Sequence, residues 1–143
     1  MRLLITAFSL LFLATATAQA GVREDLKQRM VRWDKLLSQA QSGLINSMMG
    51  EVEQAAQGLK ETPHLPEAVQ RALKAGMSER EASDFMKIDA FISTTGGDLA
   101  AAVAEEDIQR MLVYQGRLLN SCVQCHEIFR VKATQALEAA GMP

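Results

Sequence analysis

The sequence shows no sustained alternation of apolar and polar residues and no Asn-Gly or Asp-Gly pair, which argues against a sheet-based fold. It has no basic block, and its formal net charge is -2, a balance that argues against nucleic acid as a partner. No apolar run reaches the roughly 20 residues needed to span a bilayer. Cysteine and histidine are scarce, at two residues each. Tetrahedral zinc needs four ligands, and beyond Cys122, Cys125 and His126 only His64 remains, distant and in a proline-flanked loop. A thioredoxin-like redox pair needs a βαβ setting, which a chain without strands lacks. No arrangement of acid, base and nucleophile stands out, so the chain does not read as an enzyme.

The first twenty residues read as an export signal. Arg2 supplies the positive n-region, Leu3 to Leu13 the apolar core, and Ala18-Gln19-Ala20 a small-x-small cleavage site. Cleavage after Ala20 removes Arg2 and no acid, leaving 14 basic and 17 acidic side chains in one domain over 21–143. The mature chain has no membrane span and is destined for the periplasm.

Helical periodicity dominates the rest. Leu26, Met30, Trp33, Leu37, Ala40, Leu44, Met48, Val52, Ala55 and Leu59 recur in steps of three and four. They predict one helix from about Val22 to Lys60, bent at Gly43 or Gly50. Pro63 and Pro66 bracket a break, and a second helix follows from Pro66 to about Lys74, stopped by Gly76. Ser78 with Glu81 reads as a capping box opening a third helix, which ends or kinks at Thr94-Thr95-Gly96-Gly97. The last helix starts near Glu106 or Asp107 and runs towards Ala139, with Gly141 and Pro143 ending it. Its inner face is predicted to carry Ile108, Met111, Leu112, Gln115, Leu118, Leu119, Cys122 and Cys125. Four amphipathic helices with short connections predict an all-α, antiparallel four-helix bundle. Most of the eight methionines fall on apolar stripes and read as core filling.

Cys122-Val123-Gln124-Cys125-His126 is the spacing of covalent haem attachment. Two thiols one helical turn apart can each add to a vinyl group of the same porphyrin. The next residue, His126, then offers its imidazole to the iron from one side. The motif predicts one covalent haem c near the C-terminus.

The run Cys122-Val123-Gln124-Cys125-His126-Glu127-Ile128-Phe129-Arg130 resembles the cytochrome c′ family, the class II monohaem c-type cytochromes, where the motif reads CxxCHxx(Phe/Tyr)Arg. Glu106-Asp107-Ile108 stands where that family's last helix starts with a similar Gly-Asp-Leu. The resemblance implies that Arg130 sits near the iron or a propionate. It also implies that the first helix supplies the sixth-position residue, apolar in five-coordinate members and methionine in low-spin relatives. Counting back from Pro63 places Leu44 there, with Met48 as the competing ligand and Met30 and Met49 as remoter candidates. Ala40 replaces the arginine usual four residues earlier, and the segment from Pro63 to Cys122 is shorter than in most of the family. With Leu44, the implied function is binding of NO or CO at a five-coordinate iron, with electron transfer secondary. With methionine, it is a His/Met electron carrier serving periplasmic redox partner proteins. A haem-bearing subunit of a larger periplasmic redox enzyme is the third reading. The family also implies a homodimer through the first two helices.

Overall fold

The computed structural model describes residues 26–142; the expected export signal over 1–20, the expected helix start at Val22 and Pro143 lie outside them. Among the described residues all regular structure is helical, in five helices: α1 (26–45), α2 (Met49–Lys60), α3 (Glu67–Gly76), α4 (Glu79–Ala104) and α5 (Ile108–Ala139). None of these helices is long and apolar enough to cross a membrane.

The single helix expected up to Lys60 is two helices folded back on each other. At the end of α1, Met48 N–H donates to the Gly43 carbonyl at 2.8 Å and Ser47 N–H to that of Leu44 at 3.4 Å. Ser47 takes φ 57°. This is a Schellman stop with serine in the left-handed position that usually falls to glycine. Contacts between the two helices then run in opposite directions along the chain. A Cβ added to Gly43 would meet Val52 Cγ2 at 2.8 Å, and one added to Gly58 would meet Leu36 Cδ2 at 2.8 Å. Further along, Trp33 Nε1 donates to Thr62 Oγ1 at 3.1 Å. The apolar stripe hides this break. It leaves α1 at Leu44 and resumes in α2 at Val52, eight residues on, so the three-and-four rhythm passes through the turn in phase.

The glycines expected to weaken the third helix do not interrupt it. A Cβ on Gly96 would lie 2.7 Å from Leu59 Cβ and 2.8 Å from Lys60 N. Glycine is there because α2 and α4 approach backbone to backbone, and Ser93 Oγ ties the crossing by donating to the Lys60 carbonyl at 2.8 Å. The helix ends instead at a second Schellman stop, with Glu106 at φ 53° and Asp107 N–H donating to the Ala102 carbonyl at 3.0 Å. Asp107 then caps α5 by accepting from Arg110 N–H at 3.0 Å.

L-residues at positive φ are strained by roughly 1–2 kcal/mol, which glycine avoids. Replacing Ser47 or Glu106 by Gly is therefore expected to raise unfolding free energy by about 0.5–1 kcal/mol each, as urea titration would show.

The start of α4 is fixed by charge. Ser78 and Glu81 form the expected capping box, and Lys132 of α5 also reaches Glu81. These hydrogen bonds, Lys132 first and then Ser78, lower the Glu81 pKa from 4.5 to about 2. A depressed carboxylate contributes stability above its unfolded pKa and loses it as pH falls through its folded one. Glu81→Gln should thus lose the slope that this group gives to stability between pH 4.5 and about 2, measured by denaturant titration at stepped pH.

The core falls into two parts. One holds Trp33, Leu37, Val52, Leu59, Ile92, Leu99, Met111 and Leu118. The other gathers Leu65, Val69, Leu73, Phe85, Phe129 and Leu137 at the end where α3 packs on α5. Leu112, Leu119 and Ile108, expected on the inner face of α5, point outward and are 51%, 56% and 45% exposed. The buried line of that helix runs instead through Met111, Leu118, Ser121 and Phe129.

Candidate functional site

Cys122, Cys125 and His126 lie in the middle of α5, on the side that faces α1. The cysteines are three apart and so occupy adjacent turns of one face. Both are half-buried and free of a disulfide. Burial raises the Cys122 thiol pKa, helped by the Asp34 carboxylate. Burial is also the main cause that pushes Cys125 to about 11, with Cys122 and Asp89 adding to it. Both are therefore protonated thiols at neutral pH. Exchange with disulfides needs a thiolate of low pKa, so this pair is poorly suited to redox exchange. Two free thiols at this spacing can each add S–H across an activated double bond, where sulfur bonds one carbon, hydrogen the other, and no oxidant is consumed.

Two cavities adjoin this turn. The first, about 340 Å³, is lined by Trp33, Leu37, Ile92, Gln115, Leu119 and Cys122 among others. The second, about 460 Å³, runs past Leu26, Phe85, Phe129 and Ala133 to Lys27, Arg130 and Thr134. Met30, Cys125 and His126 line both. Each cavity falls in the range of roughly 300–1,000 Å³ usual for cofactor and ligand sites. The walls are mostly apolar, with Phe85 and Phe129 packed edge to face at 5.7 Å between ring centres. One polar atom in the first cavity is left over. Gln115 Nε2 donates to the Leu37 carbonyl at 3.1 Å, while its Oε1 is buried without a partner.

Behind Met30, α1 is fixed by an almost buried ion pair. Arg29 Nε and Nη2 donate to Asp89 Oδ1 at 3.1 and 2.8 Å, with side chains only 10% and 9% exposed. Arg29 Nη1 also donates to the Pro63 carbonyl, and its guanidinium lies 4.6 Å from the centre of the Trp33 ring. Burial raises the Asp89 carboxyl pKa, against the opposing pull of Arg29.

Of the site residues expected from sequence, the structure brings Cys122, Cys125, His126 and Arg130 together. It does not bring Leu44 or Met48 there. Leu44 packs on the first core cluster and Met48 is 42% exposed at the α1–α2 turn; neither lines either of these two cavities. The reason is length. Leu44 is fourteen residues beyond Met30 on one straight helix, about 21 Å at 1.5 Å per residue. Counting back from Pro63 as though one helix led to it places the expected residue at the end of α1 away from these cavities. Met30, a remoter candidate, is the methionine at the site. Lys27, Trp33, Leu37 and Gln115 had no assigned role; the stripe through Met30, Trp33 and Leu37 was the signal that could have placed them. Among the described residues no group of three or more His, Cys, Asp or Glu could hold a metal ion. No family model matches the chain, and neither a curated protein nor a solved structure matches it.

Proposed function

We propose that this chain is a periplasmic c-type cytochrome of the cytochrome c′ class that carries electrons between redox partner proteins. In this reading residues 1–20 are an export signal, and α1, α2, α4 and α5 make an antiparallel four-helix bundle around one haem c. The observation that carries the reading is the convergence of Cys122, Cys125 and His126 on two adjoining apolar cavities.

The donor set fits such a group. Two free thiols one turn apart suit thioether links to two vinyl groups, and the apolar walls suit a porphyrin face. Lys27 and Arg130 at the rim of the second cavity are cations suited to propionate carboxylates. Bound haem supplies an iron that alternates between ferrous and ferric states. His126 on α5 would hold it through a ring nitrogen, and Cys122 and Cys125 would fix the group beside that imidazole. Met30 of α1, which lines the same two cavities, would offer a thioether sulfur as a second ligand, the kind that raises the reduction potential. The Arg29–Asp89 pair holds the adjacent residue of α1 rigidly, which limits rearrangement around Met30 when the charge changes.

Absorption spectra of the purified protein test the sixth position. The expected result is a low-spin spectrum with a ferric Fe–S(Met) band that Met30→Ala abolishes and Met48→Ala leaves alone. A high-spin ferrous spectrum that shifts with CO in the unaltered protein would contradict ligation by Met30. It would favour binding of NO or CO at an open iron.

A further inference from the structure

The end of the molecule away from the cysteine motif is made of the α1–α2 turn and the α4–α5 corner. A groove of about 550 Å³ lies there, lined by Met49, Gly50, Glu53, Glu106, Ile108 and Met111 among others. Apolar side chains stand open around it. Ile45 is 72% exposed at the end of α1, and Met48, Ile108 and Leu112 are exposed too. Clustered open apolar side chains mark contact sites, whereas scattered ones need no explanation. Gly50 adds room: a Cβ added there would meet nothing within 4 Å, although glycine weakens a helix.

The charge of this end is one-sided. Across residues 41–54 and 99–116 stand five acids, Glu51, Glu53, Glu105, Glu106 and Asp107, against one base, Arg110. The other described residues carry ten acids and twelve bases, so negative charge is gathered here. Glu51 and Asp107 have a reason within the chain, since both stand at the start of a helix, whose dipole favours acids. Glu106 has none. It follows the C-terminal end of α4, where that field opposes it, and it sits at φ 53°. Arg110, the base nearby, pairs with Glu105 instead. A residue that breaks local rules without gain inside the chain points to a role outside it.

We propose that this groove takes a basic amphipathic helix of a partner protein, its apolar side chains against Met49 and Ile108 and its lysines or arginines beside Glu53 and Glu106. Helices dock in this way when an apolar stripe meets a groove and the flanking charges match. The same acids repel anionic headgroups and the like end of a second copy. Ile108 is fourteen residues from Cys122 on α5, about 21 Å along its axis. The contact is thus an anchor that leaves the cysteine motif open to a different partner. It stands on this surface alone and does not depend on which group Cys122 and Cys125 hold.

Titrating the mature, cofactor-loaded protein into a short fluorescent helical peptide, leucine along one face and lysine on the other, tests it. Fluorescence anisotropy should show saturable binding that weakens as salt is added. Glu53→Gln with Glu106→Gly should weaken it by about fivefold or more. The Glu106 change is expected to stabilise the fold, which separates lost binding from lost structure. Ile108→Ser, at an exposed position, should weaken binding as well. Glu67→Gln with Glu79→Gln removes two charges away from the groove and should leave it unchanged. Binding that the Glu53 and Glu106 changes leave intact, or that the Glu67 and Glu79 changes weaken equally, overturns the proposal. So does an absence of binding up to about 1 mM.

Discussion

Replacing Cys122 and Cys125 together by serine should convert a permanently held cofactor into one that is lost on denaturation. In the unaltered protein two thioether bonds would survive detergent and acid. In the double variant only His126, the cavity walls and the rim cations remain, and all of these are lost on unfolding. A single Cys→Ser variant should keep one bond and still stain for haem on a denaturing gel, with an altered band position for the unsaturated vinyl group. The double variant should show no stain. It should also melt earlier, because a ligand bound only by the native state stabilises by mass action, whereas a covalent one cannot be diluted away. The two half-buried thiols adjoin cavities of about 340 and 460 Å³, so losing the group would leave unfilled apolar space where α1 meets α5. Unfilled core space destabilises in proportion to its volume.

Asp89→Ala should be the most destabilising single change outside the cysteine motif. It leaves the Arg29 guanidinium 10% exposed with no carboxylate. Removing one member of a buried pair typically lowers stability by about 3–5 kcal/mol, a large share of the roughly 5–15 kcal/mol that holds a domain together. The loss should reach further than the pair itself. Arg29 also holds the Pro63 carbonyl and stacks on Trp33, whose Nε1 donates to Thr62, so α1, the α2–α3 connection and α4 all meet there. Converting both partners to apolar residues should recover part of the loss, since the unpaired buried charge goes with them. Chemical denaturation of the two single variants and the double variant would measure this. Equal losses in all three would show that packing around Trp33, and not charge pairing, sets the stability there.

How far the sequence could be read depended on whether a feature was local. The Ser78–Glu81 box, the Asp107 cap and the Cys122–His126 turn each lie within five residues, and each stands in the structure where its residues place it. The α1–α2 turn is equally local, but its signal is masked. Serine occupies the left-handed position, and the apolar stripe continues in register across it. That one missed turn placed the expected sixth-position residue at Leu44, about 21 Å along α1 from Met30, the methionine that lines the two cavities. Gly96 misled in the opposite sense: a helix breaker by propensity, it is kept because Leu59 and Lys60 of α2 press against it. Tertiary packing overrode local preference in that case. On α5 the spacing alone allowed Leu112 and Leu119 to face inward. Only the burial of Met111 and Leu118 shows which of two neighbouring stripes meets the core.

Everything proposed for the site rests on Cys122 and Cys125 holding a haem. Intact mass of the mature protein, purified from a host that attaches haem and denatured before measurement, tests this most directly. One haem mass above that of chain 21–143, with no free thiol left to alkylate, is the expected result. The polypeptide mass alone, with two alkylatable thiols or a Cys122–Cys125 disulfide in their place, would contradict it.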